Sequence, residues 1–381
     1  ETHVLTATAH LPPPTTLGAP GGDAWFEAPL FDRALEAIRA AQHPASCSSE
    51  HALAAHMENR GLAASIMHVA GLMGHVTFPA GKALTMSHKH HWVYTDARTC
   101  PSRSLECLFR GWTACSDLRG HVPEGAVTVA GHSTLVRDLY WTVPPEFARK
   151  GVFWWRAAAV AYLWRLRPEV LEALDIEGVK RRIGYRRPIV SVHLRRGDSC
   201  HTSIRKGRCI PLDYAAERVQ EMAARYSIPR VFVATDSPGV VEEFRGLVAG
   251  LEVAAVPDDL FDRAELEDSI HKCSRKHPHK TDDGTTLEDG CSGNDAWLEH
   301  RLGRGYIRGD ALAMTTLLDV ELMADADAFV GHFGSNLSRL AYMLMAARRR
   351  AAPPFTSLDG PWCYHWRMCC DVQAHGRSRV C

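Results

Sequence analysis

From residue 189 to about 349 the chain alternates short apolar runs with amphipathic stretches of helical period. Ile189–Leu194 is a block of β-branched and apolar residues, the composition of a strand buried on both faces. A polar turn follows, and the pattern then predicts a helix over Pro211–Tyr226, a strand over Val231–Ala234, a helix over Val240–Leu247 and a strand over Glu252–Val256. Residues 257–305 are polar and read as irregular. Beyond them the pattern predicts a helix over Asp310–Met323, a strand over Ala328–Gly331 and a helix from Asn336 to about Arg349. Strands and helices alternating at this spacing predict an α/β fold with a parallel, doubly wound sheet.

Before Arg186-Arg187-Pro188 the pattern changes. Residues 31–75 read as helical, including Phe31–Arg39 and Leu62–Gly74, with a turn at Asn59-Arg60-Gly61. Short strand-like runs follow at Trp92–Thr95 and Ala126–Ala130, with Cys100, Cys107 and Cys115 on the connections. Residues 146–180 are helical again and carry Trp154, Trp155, Tyr162 and Trp164, an aromatic stripe read as core. No internal repeat is visible. Residues 1–30 are rich in Pro, Gly, Thr and Ala and read as a poorly ordered lead-in. At about 150 residues per domain, the 381 residues accommodate two domains. The expected organisation is an N-terminal α/β domain over 31–184, a C-terminal Rossmann-like domain over 185–350, and a Cys/Trp-rich tail over 351–381.

Charge narrows the class of partner. Lys+Arg and Asp+Glu are both 44, so a bulk polyanion such as nucleic acid is excluded as the main partner. Of the 44 basic residues, 36 are arginine and eight lysine, a bias that GC-rich coding also produces, so only position can identify a phosphate-binding arginine. The twelve cysteines lack CxxC spacing and favour disulfides formed in a secretory compartment. No apolar run approaches 18 residues and no signal peptide opens the sequence, so a targeting segment or membrane anchor is expected outside it.

In an open α/β sheet, ligands bind outside the carboxyl ends of the strands. Four segments lie there: His193-Leu194-Arg195-Arg196-Gly197-Asp198, Ala234-Thr235-Asp236-Ser237-Pro238, Val256-Pro257-Asp258-Asp259 and Gly331-His332-Phe333-Gly334-Ser335-Asn336. Arg195 shares a face with His193, and an arginine held in a cleft calls for an anion. For Arg196 a structural pair with Asp198 is the competing reading. Arg196-Gly197-Asp198 also spells an adhesion tripeptide, discounted because it follows a buried strand. Gly334-Ser335 before a helix at Asn336 forms a turn whose free amides can hold phosphate. Asn336-Leu337-Ser338 is formally a glycosylation sequon. Asp319 shares a helix face with Leu312, Thr315 and Leu322, so its carboxylate points inward and needs donors. The N1–H and 2-amino group of guanine offer two such donors; a cap or ion pair within the fold is the alternative.

In this order the segments resemble the GDP-fucose-using fucosyltransferases of the α-1,6 type, which include the N-glycan core and bacterial nodulation-factor enzymes. Their His-Val-Arg-Arg-x-Asp pattern is met by His193–Asp198, and their Ala-Thr-Asp-Asp-Pro by Ala234–Pro238. Their Asp-x-x-x-Leu helix, followed by Val-x-x-Phe-Ser-Ser-(Gln/Asn) and Arg-x-Ala-Tyr, is met by Asp319, Met323, Val330, Phe333–Asn336 and Arg339–Tyr342. The resemblance covers about 185–347. Asn59–Leu62, Trp92–Tyr94 and the Cys100, Cys107 and Cys115 group look like the N-terminal half of related members. The resemblance implies a GT-B-like fold of two Rossmann-like halves, with the donor site in the C-terminal half. It also implies inverting transfer of fucose from GDP-fucose to a glycan or glycoprotein hydroxyl, no metal or other cofactor, and a Golgi or secretory lumen. Carried over by position, Arg195 would hold the β-phosphate, Asp319 would read guanine, and His193 would lie beside the nucleoside. Ser335 and Asn336 would hold phosphate or sugar, and Arg196, Asp198, Asp236 and Tyr214 would shape the cleft.

Two departures stand out. The family's lysine after Asp198 is Ser199 here, followed by Cys200, and the family's glutamate a few residues on has no counterpart before Asp213. Asp198, His201 and Asp236 are then the candidate general bases. The losses also raise a non-catalytic glycan-binding or chaperone-like protein as an alternative, as well as a transferase for another GDP-sugar. A hydrolase with Ser335 as nucleophile lacks the second glycine of a nucleophile elbow. His271, Cys273, His277, His279 and Cys291 form a Cys/His-rich patch, read as a Cys273–Cys291 disulfide before a zinc site. His88, His90 and His91 read as solvated.

Overall fold

The computed structural model describes residues 7–14, 25–47, 52–56, 61–77, 81–87, 92–115, 142–197, 200, 209–237, 239–262, 279–280, 286–287, 298–303 and 305–362. Its N-terminal part holds β1 (Ala9–His10), α1 (Ala28–Gln42), β2 (Ala52–His56), α2 (Leu62–Thr77) and β3 (Ala83–Ser87), then α3 (Gly151–Leu163), α4 (Pro168–Leu174) and α5 (Ile176–Ile183). β2 and β3 pair in parallel, from Ala52 opposite Ala83 to His56 opposite Ser87. Neither strand is evident in the sequence, because Ala52–His56 and Ala83–Ser87 hold one β-branched residue between them and flank a strongly helical stretch.

The run Trp92–Thr95 is not a strand. It forms a turn closed by Thr95 Oγ1, which donates to the Trp92 carbonyl at 3.0 Å. Trp92 and Tyr94 are both fully buried, packed edge to face with centroids 5.4 Å apart, so the alternation serves burial and not pairing. Ala126–Ala130 lies outside the described residues. The aromatic stripe on α3 is core: Trp154 and Trp155 are fully buried, and Trp154 Nε1 donates to the Phe26 carbonyl at 2.6 Å.

The C-terminal part follows the predicted alternation closely. It comprises β4 (Val190–Leu194), α6 (Leu212–Tyr226), β5 (Arg230–Thr235), α7 (Val240–Leu247) and β6 (Glu252–Ala255). The polar stretch carries a small antiparallel pair, β7 (His279–Lys280) with β8 (Thr286–Leu287), and α8 (Leu298–Gly303). Then come α9 (Gly309–Asp325), β9 (Ala328–Gly331), α10 (Asn336–Arg349) and β10 (Phe355–Ser357). The main sheet has the order β1-β10-β9-β4-β5-β6, parallel throughout except for β1 at the edge. Chain order therefore runs outward from β4 through β5 and β6, then returns to its other side with β9 and β10.

Two expectations about the ends of the chain are corrected. The supposed tail contributes β10, whose three residues are too few for a periodic signal. Part of the supposed lead-in is ordered on the sheet: β1 pairs with β10, and Pro12 accepts a hydrogen bond from the Tyr226 hydroxyl at 2.7 Å. Strand hydrogen bonding at the exposed edge of β10 drives that ordering.

Both faces of the sheet are covered. Val190, Val192, Leu194, Val231, Val233, Ala328 and Val330 face α6 and α7 in one apolar cluster. Phe232, Ala234 and Phe329 face α9 and α10 in a second, which continues without a break through α1, α2 and α3 from Phe26 to Trp362. The N-terminal helices and the α9/α10 side of the sheet thus share one core. At the amino edge, buried Asp327 accepts from the Ile189 amide at 2.9 Å and from Arg187 Nη2 at 2.6 Å, fastening the starts of β4 and β9. Disulfides join Cys47 to Cys115, Cys100 to Cys107 and Cys200 to Cys209. Among the described residues no helix is long and apolar enough to cross a membrane.

The start of α9 rests on the Trp92–Thr95 turn, where a Cβ at residue 309 would lie 1.7 Å from the Val93 carbonyl oxygen. Only glycine fits without moving backbone. Gly309→Ala is expected to lose about 2–3 kcal/mol of stability, measured by urea denaturation; an unchanged midpoint would contradict this packing.

Candidate active site

The strand order reverses between β4 and β9, which is where an open α/β sheet places its ligand crevice. His193 is the fourth residue of β4. Pleating turns its side chain, like that of Ser191, toward α9 and α10. The imidazole is buried, and its Nδ1 shares a 2.7 Å hydrogen bond with Ser338 Oγ on α10. Burial holds this ring well below the ordinary histidine range, and the nearby His332 and Arg195 charges add to the effect.

Arg195 follows directly. Its Nη1 approaches Ser335 Oγ at 3.5 Å, so the turn after β4 meets the turn before α10. Ser335 occupies the position before the first residue of α10, with extended backbone and no side-chain capping bond. Its buried hydroxyl faces Arg195 instead. Asn336 opens the helix, and its Oδ1 is buried without a hydrogen-bond partner among the described residues. The first amides of a 14-residue helix, an arginine and an unsatisfied amide side chain therefore converge at one place.

The loop carrying Arg195 is held from the next strand. Asp236, just past β5, accepts on Oδ1 from the amides of Arg196 at 2.7 Å and Gly197 at 2.9 Å. Arg196 Nη1 is spent on the Ile210 carbonyl at 2.9 Å, so this arginine fastens the loop to the start of α6. Asp198 and His201 lie outside the described residues. Cys200 and Cys209 bridge the ends of the segment between them.

Asp319 is buried on α9, as its helical face requires. One turn further along, the Met323 carbonyl accepts a 3.4 Å hydrogen bond from Ser191 Oγ. Four helical residues advance about 6 Å and two strand residues about 6.6 Å, which sets Asp319 level with His193 on the same side of the sheet. Tyr214 does not join this group. The apolar face of α6 leaves it on the polar side, 40% exposed, with the Arg218 guanidinium 5.2 Å from its ring centroid. The cleft-shaping role expected of it has no support in this placement.

Two residues come into view only in the fold. His332 ends the β9 side of the crevice, 8% exposed, its ring edge-on to His193 at 6.3 Å and 82°. Burial again lowers its pKa, opposed by Asp359 and Asp236 and reinforced by Arg195 and Arg196. Asp359, beyond β10, accepts from the Gly334 amide at 2.9 Å, the Gly360 amide at 2.8 Å and the Ser357 hydroxyl at 3.1 Å. A Cβ on residue 334 would stand 2.5 Å from its Oδ2, so this carboxylate takes the space that a serine there would fill. His332 stood within a strand-end segment and was open to notice; Asp359 was hidden in the supposed tail. Cys273, His271, His277, Cys291 and the His88, His90, His91 group lie outside the described residues, and His279 is described only as backbone of β7.

The comparisons with known proteins agree with the motifs. Residues 145–257 match the family described as α-(1,6)-fucosyltransferase N- and catalytic domains. That segment contains the His193–Asp198 and Ala234–Pro238 motifs, while Asp319 and Phe333–Tyr342 lie beyond it. An α-(1,6)-fucosyltransferase of Drosophila melanogaster is 26% identical over 220 residues, 56% of this chain and 28% of that protein. This chain thus spans under a third of that relative's length. Among solved structures, NodZ α-1,6-fucosyltransferase co-crystallised with GDP and fucosyltransferase NodZ from Bradyrhizobium each give a TM-score of 0.43 at 15% identity, covering 76% of this chain and 91% of theirs. POFUT1 in complex with GDP gives 0.43 at 11% identity, covering 82% and 99%. The chain is similar to α-1,6-fucosyltransferases.

Both buried imidazoles bear on stability. The unfolded chain protonates them near pH 6.5, whereas the folded chain resists until lower pH. Between those values the unfolded state binds more protons, so stability rises with pH there and is lost on acidification below about 6.5. Each resistant ring contributes a slope of about 1.4 kcal/mol per pH unit in that window. Urea denaturation from pH 5 to 8 should show a shallower slope for His193→Gln than for wild type; equal slopes would show that His193 is not held neutral.

Proposed function

We propose that this chain, similar through residues 145–257 to the α-1,6-fucosyltransferases, transfers fucose from GDP-fucose to a hydroxyl of a glycan or glycoprotein acceptor. The observation that carries the reading is the meeting of Arg195 with Ser335 and the start of α10 across the strand-order reversal. A diphosphate there would receive the guanidinium fork and the free helix amides together. Guanine would extend toward Asp319, whose carboxylate suits the paired N–H groups of that base, with His193 beside the nucleoside. Asn336 Oδ1, buried and without a partner among the described residues, would accept from a hydroxyl of the ribose or sugar.

In the reaction the acceptor oxygen forms a bond to the anomeric carbon as the bond to the β-phosphate oxygen breaks, with inversion at that carbon. The acceptor's proton passes to a base and the electron pair leaves with GDP. Arg195 and the helix amides stabilise the charge that grows on the leaving phosphate, which is the work a metal does in other transferases. This reading needs no metal or other cofactor. Asp236 has one oxygen committed to two amides, which suits it to holding the Arg195 loop and leaves Asp198 and His201 as the candidate bases. A GT-B-like arrangement would place the acceptor between the C-terminal sheet and the N-terminal helices. The three disulfides support an oxidising compartment, and we assign the protein to the Golgi or another part of the secretory lumen.

Calorimetric titration with GDP, GDP-fucose, GDP-mannose and UDP-sugars tests the donor site. Wild type should bind GDP and GDP-fucose and ignore UDP-sugars. Arg195→Ala should weaken GDP binding by about 3 kcal/mol, roughly a hundredfold. The donor-site reading fails if no guanine nucleotide binds, or if Arg195→Ala leaves the affinity unchanged. Tighter binding of GDP-mannose would favour another GDP-sugar, and GDP-fucose binding without hydrolysis or transfer would favour the non-catalytic alternative. Asp319→Asn should narrow the preference for GDP over ADP at least tenfold, because the amide can no longer accept both guanine hydrogens; an undiminished preference would remove guanine recognition from Asp319.

A further inference from the structure

His332 has no task in the donor site as assigned, yet its surroundings are specific. It ends β9 beside the order reversal, nine-tenths buried, with His193 edge-on to it. Among the described residues no hydrogen bond engages its ring nitrogens. The charged and titratable groups around it come from every neighbouring strand end: His193, Arg195 and Arg196 from β4 and its turn, Asp236 after β5, and Asp359 after β10. Burial and the two guanidinium groups favour the neutral ring. The two carboxylates favour the charged one, but both are partly spent. Asp236 is held by the Arg196 and Gly197 amides, and Asp359 by the Gly334 and Gly360 amides and the Ser357 hydroxyl.

Among the described residues the cradle also offers little full positive charge for such a ligand. A nucleotide sugar carries two negative charges on its diphosphate, and Arg195 supplies one positive charge. Arg196 is drawn away to the Ile210 carbonyl. The helix amides add partial charge only. A neutral imidazole at the same strand end can make up the difference by accepting a proton, whereas a third fixed cation would repel Arg195 in the empty site.

We infer that His332 is a proton-linked positioning residue for the donor: neutral in the empty site, it takes a proton from solvent when the diphosphate enters the cradle of Arg195 and α10, and the imidazolium N–H then donates to a phosphate oxygen. The inference rests on the donor-site reading above. No covalent bond changes; one proton moves from water or buffer to the ring, and its release on departure of GDP returns the site to its starting state.

The test is calorimetric titration with GDP-fucose in buffers of different ionisation enthalpy, from pH 6 to pH 8. This probe is esterified at both ends of its diphosphate and has no proton to lose near neutrality, so any buffer-dependent heat reports protein groups. Wild type should take up a clear fraction of a proton near pH 6.5 and almost none at pH 8, and should bind about three- to tenfold more tightly at pH 6 than at pH 8. His332→Gln keeps a polar donor and should bind with no uptake and a flat pH profile. Asp359→Asn, which removes one of the carboxylates favouring the charged ring, should lower the uptake at pH 6.5. Wild-type binding without uptake, or equal uptake in His332→Gln, overturns the role of His332 and leaves the donor site standing. Absence of GDP-fucose binding overturns both. Where His332→Gln fails to fold, the Asp359→Asn comparison carries the assignment: undiminished uptake there overturns it, as does wild-type binding without uptake.

Discussion

The parallel pairing of Val190–Leu194 with Ala328–Gly331 is the constraint on which the rest of the molecule depends. These two strands are far apart in sequence, and everything between them folds to one side before the chain returns. Because their directions agree, both release their loops at the same edge, and because the order reverses there, the loops separate. Arg195 and Ser335 are 140 residues apart along the chain and meet through this pairing alone. At the opposite edge, Asp327 fastens the strand starts with the Ile189 amide and Arg187, so the register cannot slip without stranding a buried carboxylate.

The crevice gathers its charges in a graded way. Asp236 and Asp359 are carboxylates whose acceptor capacity goes to backbone amides, so they shape loops and lend field more than they pair with a cation. Arg196 is turned into a loop fastening by the Ile210 carbonyl. Arg195 is left facing the helix start, between two imidazoles that burial keeps neutral. Donors from the turn after β4 and from the start of α10 are thereby organised side by side before any ligand arrives. The same economy explains why the 36 arginines say so little in bulk, since most of those described serve as surface pairs or as donors to carbonyls.

Much of the C-terminal half was legible because its strands are buried on both faces and its helices are amphipathic, each leaving a strong local period. Val240–Leu247 and Ala328–Gly331 appear with the predicted limits, and the helix from Asn336 ends at Arg349. The strand-end rule then located His193, Arg195, Asp236, Ser335 and Asn336 together. Legibility failed where elements are short or where burial mimics pairing. β10 has three residues, β2 and β3 are nearly without β-branched residues, and Trp92–Thr95 alternates only because Trp92 and Tyr94 both turn inward from a turn. Tyr214 was placed by motif position alone, while the helical face, set by Leu212, Ala215, Ala216 and Val219, turns it outward.

The sequence by itself determined the alternating α/β class, the location of strand ends, the inward face of Asp319 and the resemblance to α-1,6-fucosyltransferases, because each of these is written in local period or contiguous motif. Tertiary structure alone decided the strand order, the sharing of one core by the N-terminal helices and the sheet, the cysteine pairing, and the placement of His332 and Asp359 beside the Arg195 loop. Those depend on contacts between residues distant in sequence, where a single side chain's protonation or orientation is set by neighbours from three other strands. Local pattern carries no information about which strands become neighbours, and the chemistry of this crevice is the chemistry of that neighbourhood.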